Sequence, residues 1–330
     1  MRGRILSRTI LVTGGAGYIG SHACKRLAAA GYVPVTFDNL SRGHHDFVKW
    51  GPLEQGDIRD PAALDQAMAR HRPTAILHFA ALTYVGESTS DPENYYLNNV
   101  AGSLALLAAA RRAGIGHIVF SSTCATYGAV ETSPLAEDLP QQPLHPYGWS
   151  KLMVERFLAD CEKAYGLRWA ALRYFNASGA DPDGEIGERH DPETHLIPRV
   201  LMAAAGQLPR IDILGDRHPT PDGTCIRDYI HVADLAEAHL LALQHLLDGG
   251  ASEAFNLGTG AGYSVRQVIA AAERVTGRQI PVRIEAARDG DAPELVADPA
   301  KAARILGFRA RHDLESSIAT AWRWHSRDWG

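Results

Sequence analysis

The chain has 330 residues, enough for one large core or two joined lobes. Apolar residues make up 45% and charged residues 22%, the balance of an ordinary soluble enzyme. A formal charge of -5 with no basic stripe argues against a nucleic-acid partner, and no apolar run reaches the roughly 18–20 residues of a membrane span. The basic start Met1-Arg2-Gly3-Arg4 lacks the apolar stretch of a signal peptide. Cys24, Cys124, Cys161 and Cys225 are scattered, with neither metal-ligand spacing nor the density of a disulfide framework, so a reducing cytoplasm is the expected setting.

Short apolar runs alternate with helical patterns through the first half of the chain. Ile10-Leu11-Val12 reads as a buried strand and runs straight into a glycine turn. Helical spacing follows over Ser21 to Ala30, then a strand over Val33 to Phe37 and a third candidate strand before Gly56. Pro61 to His71 reads as a helix, Ala75 to Phe79 as a strand, Val100 to Ala113 as a helix and Ile118 to Phe120 as a strand. Tyr147 to Tyr165 and Trp169 to Arg173 repeat the helix–strand pair. Such alternation predicts an α/β fold: a doubly wound parallel sheet of the Rossmann type with helices on both faces. After Asn176 the character changes. Ala180 to Thr194 is rich in Gly, Asp, Glu and Pro and reads as a long functional loop. Ile230 to Leu247 is helical in pattern, and Ala254 to Gly258 reads as a strand. The expected division is therefore a dinucleotide-binding domain over 1–176, rejoined by about 230–258, and a smaller C-terminal substrate lobe over 177–330.

Gly14, Gly15, Gly17 and Gly20 lie between a strand and a helix in the order a dinucleotide-binding turn requires. Glycine allows the tight turn and the close approach of a pyrophosphate, and the helix N-terminus offers free N–H groups to it. Asp38 closes the next strand, about 20 residues on, where a carboxylate accepts hydrogen bonds from both ribose hydroxyls. It would repel a 2′-phosphate, so NAD is favoured over NADP, with Arg42 nearby as the one counter-signal. Asp57 follows the third candidate strand, and spacing leaves open whether it binds the adenine amino group or serves the helix start at Asp60-Pro61. Phe79-Ala80-Ala81 ends a strand with small residues that let a cofactor lie against the backbone.

Tyr147 and Lys151 stand four apart, on one face of a helix. A free Tyr has a pKa of about 10, too high for a base at neutral pH, but a neighbouring ammonium and an oxidised nicotinamide both favour phenolate. Tyr147 can then take a hydroxyl proton while hydride leaves the same carbon. Ser121-Ser122-Thr123 follows the strand Ile118 to Phe120 on its carboxyl side, where ligands sit in such sheets and one hydroxyl can hold a substrate oxygen.

These residues resemble the extended short-chain dehydrogenase/reductase superfamily and, within it, the UDP-glucose 4-epimerases. The resemblance runs from Ile10 to about Trp324. It is carried by Val12 to His22, Phe37 to Leu40, Gly56 to Arg59, Val85 to Ser88, Asn98 to Val100, Tyr147 with Lys151 and Leu172 to Asn176, and most specifically by Asp222 to Val232. It implies tightly held NAD, a UDP-hexose substrate, inversion at C4 and a homodimer paired through the Ala101 to Ala113 helix. Tyr147 is then the base, Lys151 tunes it and Thr123 holds the sugar oxygen. Cofactor contacts would come from Gly14, Gly17, Tyr18, Ile19, Gly20, Asp38, Asn39, Asp57, Ile58, Phe79, Ala80, Ala81, Asn98, Ser121 and Tyr174, besides Tyr147 and Lys151. Substrate contacts would come from Asn176, His195, Leu196, Arg227 and Arg288 on the diphosphate, Asp291 on the uridine ribose, and Leu295 in the sugar pocket. Guanidinium forks suit diphosphate. No metal is implied.

Three positions depart from the family pattern. Thr83 stands where many members carry a Lys on the cofactor, and His195 where many carry an Asn. Leu295 is intermediate in size between the Tyr and the smaller residues found there, which leaves N-acetyl sugars and UDP-pentoses as alternative substrates. A 4,6-dehydratase needs an acid pair after Thr123, yet Cys124-Ala125-Thr126-Tyr127 follows. A non-catalytic NAD sensor would not need Tyr147 and Lys151.

Overall fold

The computed structural model describes residues 8–130, 132–287 and 292–327. Strand β1 (Thr9–Thr13) leads into helix α1 (Tyr18–Ala29), then β2 (Val33–Asp38), β3 (Leu53–Gln55), α2 (Pro61–His71) and β4 (Ala75–His78). Short helices α3 (Val85–Ser90) and α4 (Pro92–Tyr95) precede α5 (Gly102–Arg112), β5 (His117–Thr123), α6 (Pro146–Tyr165) and β6 (Arg168–Tyr174). The second half holds β7 (Asn176–Ser178), α7 (Leu196–Ala204), β8 (Ile211–Leu214), β9 (Ile226–His231), α8 (Val232–Leu247) and β10 (Glu253–Leu257). It closes with β11 (Gly262–Ser264), α9 (Val265–Thr276), β12 (Val282–Glu285), β13 (Glu294–Leu295), α10 (Ala300–Leu306) and α11 (Leu314–His325).

The chain divides into two compact units. One comprises residues 8–128, Pro143–Arg173 and Ala236–Phe255. It is built on a seven-stranded sheet of order β10-β6-β5-β4-β1-β2-β3. The pairs β1–β2, β2–β3, β1–β4 and β4–β5 are parallel. The order reverses between β1 and β4, the switch point at which such sheets bind ligands at their carboxyl ends. The central strands are apolar on both faces because helices cover both. Leu11, Val35, Phe37, Ile76, Ile118 and Phe120 pack with Leu106, Val154 and Leu158 from α5 and α6. Helix starts follow local chemistry: Asp60 accepts the N–H groups of Ala62 and Ala63 ahead of Pro61, and Pro146 opens α6.

The other unit comprises Ala129–Gln142, Tyr174–Leu235 and residues from Asn256 onward. Its β9 pairs with β7, β11 and β13, and β8 pairs with β12. Ile197, Leu201, Ile213, Tyr229, Val268 and Ile318 form its core. Ser264 and Gln267 make a reciprocal capping box at the start of α9.

Several boundaries differ from the sequence expectation: α1 begins at Tyr18 rather than Ser21, β5 extends to Thr123, and two further shifts have a clear cause. Ile230 and His231 are strand, not helix, because β9 continues in register with Ala177 and Ser178 of β7. An apolar run gives no sign of where extended chain ends and helix begins. The helix expected from Val100 begins at Gly102, after a π-helical turn over Tyr96–Ala101. Within that turn Asn99 exchanges hydrogen bonds with both Leu82 backbone groups.

Candidate active site

In the first unit the glycine turn sits between β1 and α1, at the switch point. Gly14 adopts φ +73°, and a Cβ there would lie 2.6 Å from the Ala80 nitrogen. A Cβ on Gly20 would lie 2.1 Å from the Gly14 carbonyl oxygen, so the third glycine lets helix and turn close on each other. No side chain caps α1, and its first turn carries no acid, so the positive end of the helix faces the glycine turn without a competing carboxylate of its own. Asp38 is 8% exposed and accepts the N–H of Ala16 at 3.0 Å and of Leu40 at 2.8 Å. It therefore ties the end of β2 to the turn, and burial raises its pKa. Arg42 donates to Glu87 at 2.9 Å and lies over the Tyr84 ring. That engagement gives Arg42 an acidic partner of its own. The turn, the uncapped helix and Asp38 together fit NAD.

Asp57 is held by others. Its carboxylate accepts from Arg59 and, at 3.0 Å, from the Asn39 amide, and those hydrogen bonds, led by Arg59, lower its pKa. The helix cap is Asp60, not Asp57. Ile58 is buried, Phe79, Ala80 and Ala81 follow β4 half-buried, and Thr83 is exposed. Asn98 donates to the Asn99 amide oxygen at 2.9 Å.

Tyr147 and Lys151 lie in the first two turns of α6, 9% and 2% exposed. The Lys151 ammonium donates to the Ser121 carbonyl at 2.8 Å, which docks α6 on the end of β5. It sits 4.9 Å over the Phe120 ring and 5.9 Å from the Tyr147 ring. Burial pushes its pKa down to about 7 against the opposing pull of Glu155. Thr123 is 6% exposed, and its hydroxyl oxygen accepts the Ala125 N–H at 3.2 Å. The Thr123 hydroxyl proton is thereby left to donate. Tyr147, Lys151 and Thr123, singled out from spacing, thus lie at the start of α6 and the end of β5.

In the second unit Arg227 and Leu295 face each other across the β9–β13 pair. Arg227 donates to the carbonyls of Ile226 and Ala292, both at 2.8 Å. Asn176 lies opposite Tyr229 and donates to the Asp228 carbonyl at 3.0 Å. Tyr174 is buried at the end of β6. Leu196 opens α7, and His195 precedes it with 47% of its side chain exposed. Its Nδ1 lies 2.9 Å from Glu188 and 3.0 Å from Glu193. Arg288 and Asp291 lie outside the described residues.

Comparison with known proteins matches this geometry. The model of the NAD dependent epimerase/dehydratase family fits residues 10–258. The chain belongs to that family. It is 54% identical over 319 residues to a UDP-glucose 4-epimerase of Rhizobium leguminosarum bv. trifolii, covering 97% of this chain and 98% of the relative. The crystal structure of UDP-glucose 4-epimerase from Brucella ovis in complex with NAD is similar at TM-score 0.94 and 54% identity, covering 96% of this chain and 98% of that one. An epimerase structure from Stenotrophomonas maltophila with bound NAD and formylated UDP-arabinopyranose is similar at TM-score 0.95 and 44% identity, covering 97% and 98%. The matches extend over nearly the whole chain, so they reach both units.

One group within the family fold escaped the sequence reading. Glu155, one turn beyond Lys151, is 5% exposed. It accepts from Arg173 Nε at 3.0 Å and Nη2 at 2.6 Å, and from the Ser122 hydroxyl. Arg173 also donates to the Tyr127 hydroxyl at 2.9 Å. Burial opposes the guanidinium charge, but Glu155 outweighs it and the Arg173 pKa is raised. The signal was available: Tyr147, Lys151 and Glu155 recur at four-residue spacing on one helix face.

Proposed function

We infer that this chain interconverts UDP-glucose and UDP-galactose by inverting C4, an isomerisation that uses NAD without net redox change. The observation that carries this reading is the Lys151 ammonium, buried and fixed on the end of β5 one turn from Tyr147. When bound, NAD accepts the C4 hydride and returns it to the opposite face of the same carbon. Tyr147 does the proton work. As phenolate it takes the C4 hydroxyl proton while the carbonyl forms, and as phenol it gives the proton back when C4 is reduced. Lys151 favours the phenolate by placing positive charge beside it. Thr123 donates its hydroxyl proton to the sugar oxygen and keeps C4 in line.

Both faces of the sugar must be presented in turn, so the nucleotide has to be held more firmly than the hexose. Arg227, already braced by two carbonyls, suits the diphosphate, with Arg288 as its second cation and Asp291 on the uridine ribose. Asn176, Leu196 and Leu295 would line the sugar and nucleotide contacts, with the outward edge of His195. The seat residues named above would hold NAD, with Asp38 on the adenosine ribose. No helix among the described residues is long and apolar enough to cross a membrane. Scattered free cysteines support a cytoplasmic setting. Leu104, Met153 and Tyr165, exposed on α5 and α6, support pairing of two copies through these helices. Sedimentation velocity checks this, and a monomer at micromolar concentration removes it.

The deciding assay supplies UDP-galactose to protein confirmed to carry NAD, with no added cofactor. UDP-glucose should accumulate. Its absence would sink the assignment.

A further inference from the structure

The loop between β7 and α7 gathers a second set of ionisable groups, separate from Tyr147 and Lys151. Glu188, His190, Glu193 and His195 bring four potential ligand atoms together, all within 4.8 Å of one another. Nδ1 of His195 lies 2.9 Å from Glu188 Oε1 and 3.0 Å from Glu193 Oε1. Nδ1 of His190 lies 3.1 Å from Glu188 Oε1 and 3.7 Å from Glu193 Oε2. A tetrahedral zinc ion with bonds of about 2.0–2.1 Å separates its ligand atoms by about 3.4 Å. The four spacings, taken to one Glu188 oxygen and to both Glu193 oxygens, run from 2.9 to 3.7 Å, on either side of that edge.

The chemistry of the set is selective. Two imidazole nitrogens with two carboxylates suit zinc-class ions, whereas calcium or magnesium would call for oxygen alone. The contacts are also of the right kind: each carboxylate faces both imidazole Nδ1 atoms, so one divalent cation would take the place of the hydrogen bonds that otherwise link them. The loop is also held in shape by contacts outside the set. Trp324 donates to the Glu188 carbonyl at 3.0 Å, Glu185 donates its N–H to the Asp181 carboxylate at 3.0 Å, and Asp181 donates its N–H to the Ile186 carbonyl at 3.0 Å. Glu188 is 4% exposed while His195 is 47% exposed at the side chain, so the cluster has a buried floor and an open entry.

We propose that Glu188, His190, Glu193 and His195 form a tetrahedral site for one zinc-class divalent cation, which clamps the loop to the start of α7. Four protein ligands leave no open coordination position, so the ion is structural and takes no part in the hydride step. The clamp would fix His195 and Leu196, the two residues at the start of α7 to which substrate contacts are assigned.

The test uses untagged, NAD-loaded protein, stripped with a chelator and titrated calorimetrically with zinc chloride. One equivalent should bind saturably with a Kd of micromolar or tighter, and the thermal midpoint should rise and fall back on chelation. His190→Gln should weaken binding at least tenfold and abolish the thermal shift. Cobalt(II) added to the wild-type protein should give the intense visible bands of a four-coordinate ion, a readout that holds even where the variant does not fold. Lack of equimolar binding, unchanged affinity in His190→Gln, or the weak spectrum of octahedral cobalt each overturns the proposal and leaves an ion-pair network. Because the readouts need no UDP-sugar, failure here is distinct from failure of the epimerase reading.

Discussion

Tyr147 carries the proton in the proposed cycle with one atom, its phenolic oxygen. Tyr147→Phe deletes that atom and little else, in a side chain already 9% exposed and packed at the head of α6. Turnover should fall by roughly 10²–10⁴, the usual contribution of a positioned acid–base group. The thermal midpoint and the bound NAD should stay as in the wild type. Steady-state assay beside a melting curve reads both, and a variant that keeps more than a tenth of its turnover removes the hydroxyl from the reaction. At this scale the sequence was most informative, since Tyr147, Lys151, Thr123 and Asp38 sit where spacing put them. Spacing does not show what else a side chain is bonded to. Asp57 is occupied by Arg59, two residues on, and by Asn39 from the end of β2, and His195 by nearby Glu193 and by Glu188; residue spacing names such neighbours without showing that they bond.

Secondary-structure elements meet one turn beyond Lys151 through a buried ion pair. Glu155 from α6 and Arg173 from β6 face each other at 5% and 6% side-chain exposure, with Ser122 of β5 on the same carboxylate. Removing one partner strands the other charge in the interior, which costs about 3–5 kcal/mol, whereas replacing both with apolar groups is often neutral. Glu155→Gln should therefore lower stability by about that amount, and Glu155→Leu combined with Arg173→Met should recover most of it. Urea unfolding of the single and double variants measures the difference. Equal losses in both would mean that Ser122 and Tyr127, not the charge pair, hold the elements together. The strands and helices themselves were largely legible because parallel strands read as apolar runs and helices by their period. What periodicity lacks is pairing. Arg173 finds a partner 18 residues away on another element, and β9 runs two residues into an apparent helix because β7 pairs with it.

Across the first unit as a whole, polar side chains form a chain from β1 to α6. Thr13 meets His78 Nδ1 at 2.7 Å, His78 Nε2 meets the Ser103 hydroxyl at 2.8 Å, and Ser103 donates to the Asn99 carbonyl. Asn99 donates to the Ser150 hydroxyl at 3.0 Å, next to Lys151. His78 is 2% exposed, and burial, helped by the Lys151 charge, pushes its pKa down to about 3 from 6.5. The sign of the consequence follows. Between about pH 3 and 6.5 the unfolded chain binds a proton at His78 that the folded chain does not, so stability rises with pH across that window and is lost as pH falls. From pH 6.5 to 4.5 this one group should remove about 2 kcal/mol. His78→Gln cannot take up that proton. The variant will start less stable, since it loses hydrogen bonds to Thr13 and Ser103, but its unfolding free energy should fall less steeply with acid than the wild type. Urea unfolding at pH 6.5, 5.5 and 4.5 separates the slope from the offset. Parallel curves for the two proteins would place the acid sensitivity elsewhere, and a shallower curve for His78→Gln would locate it at the polar seam that joins β1 to α6.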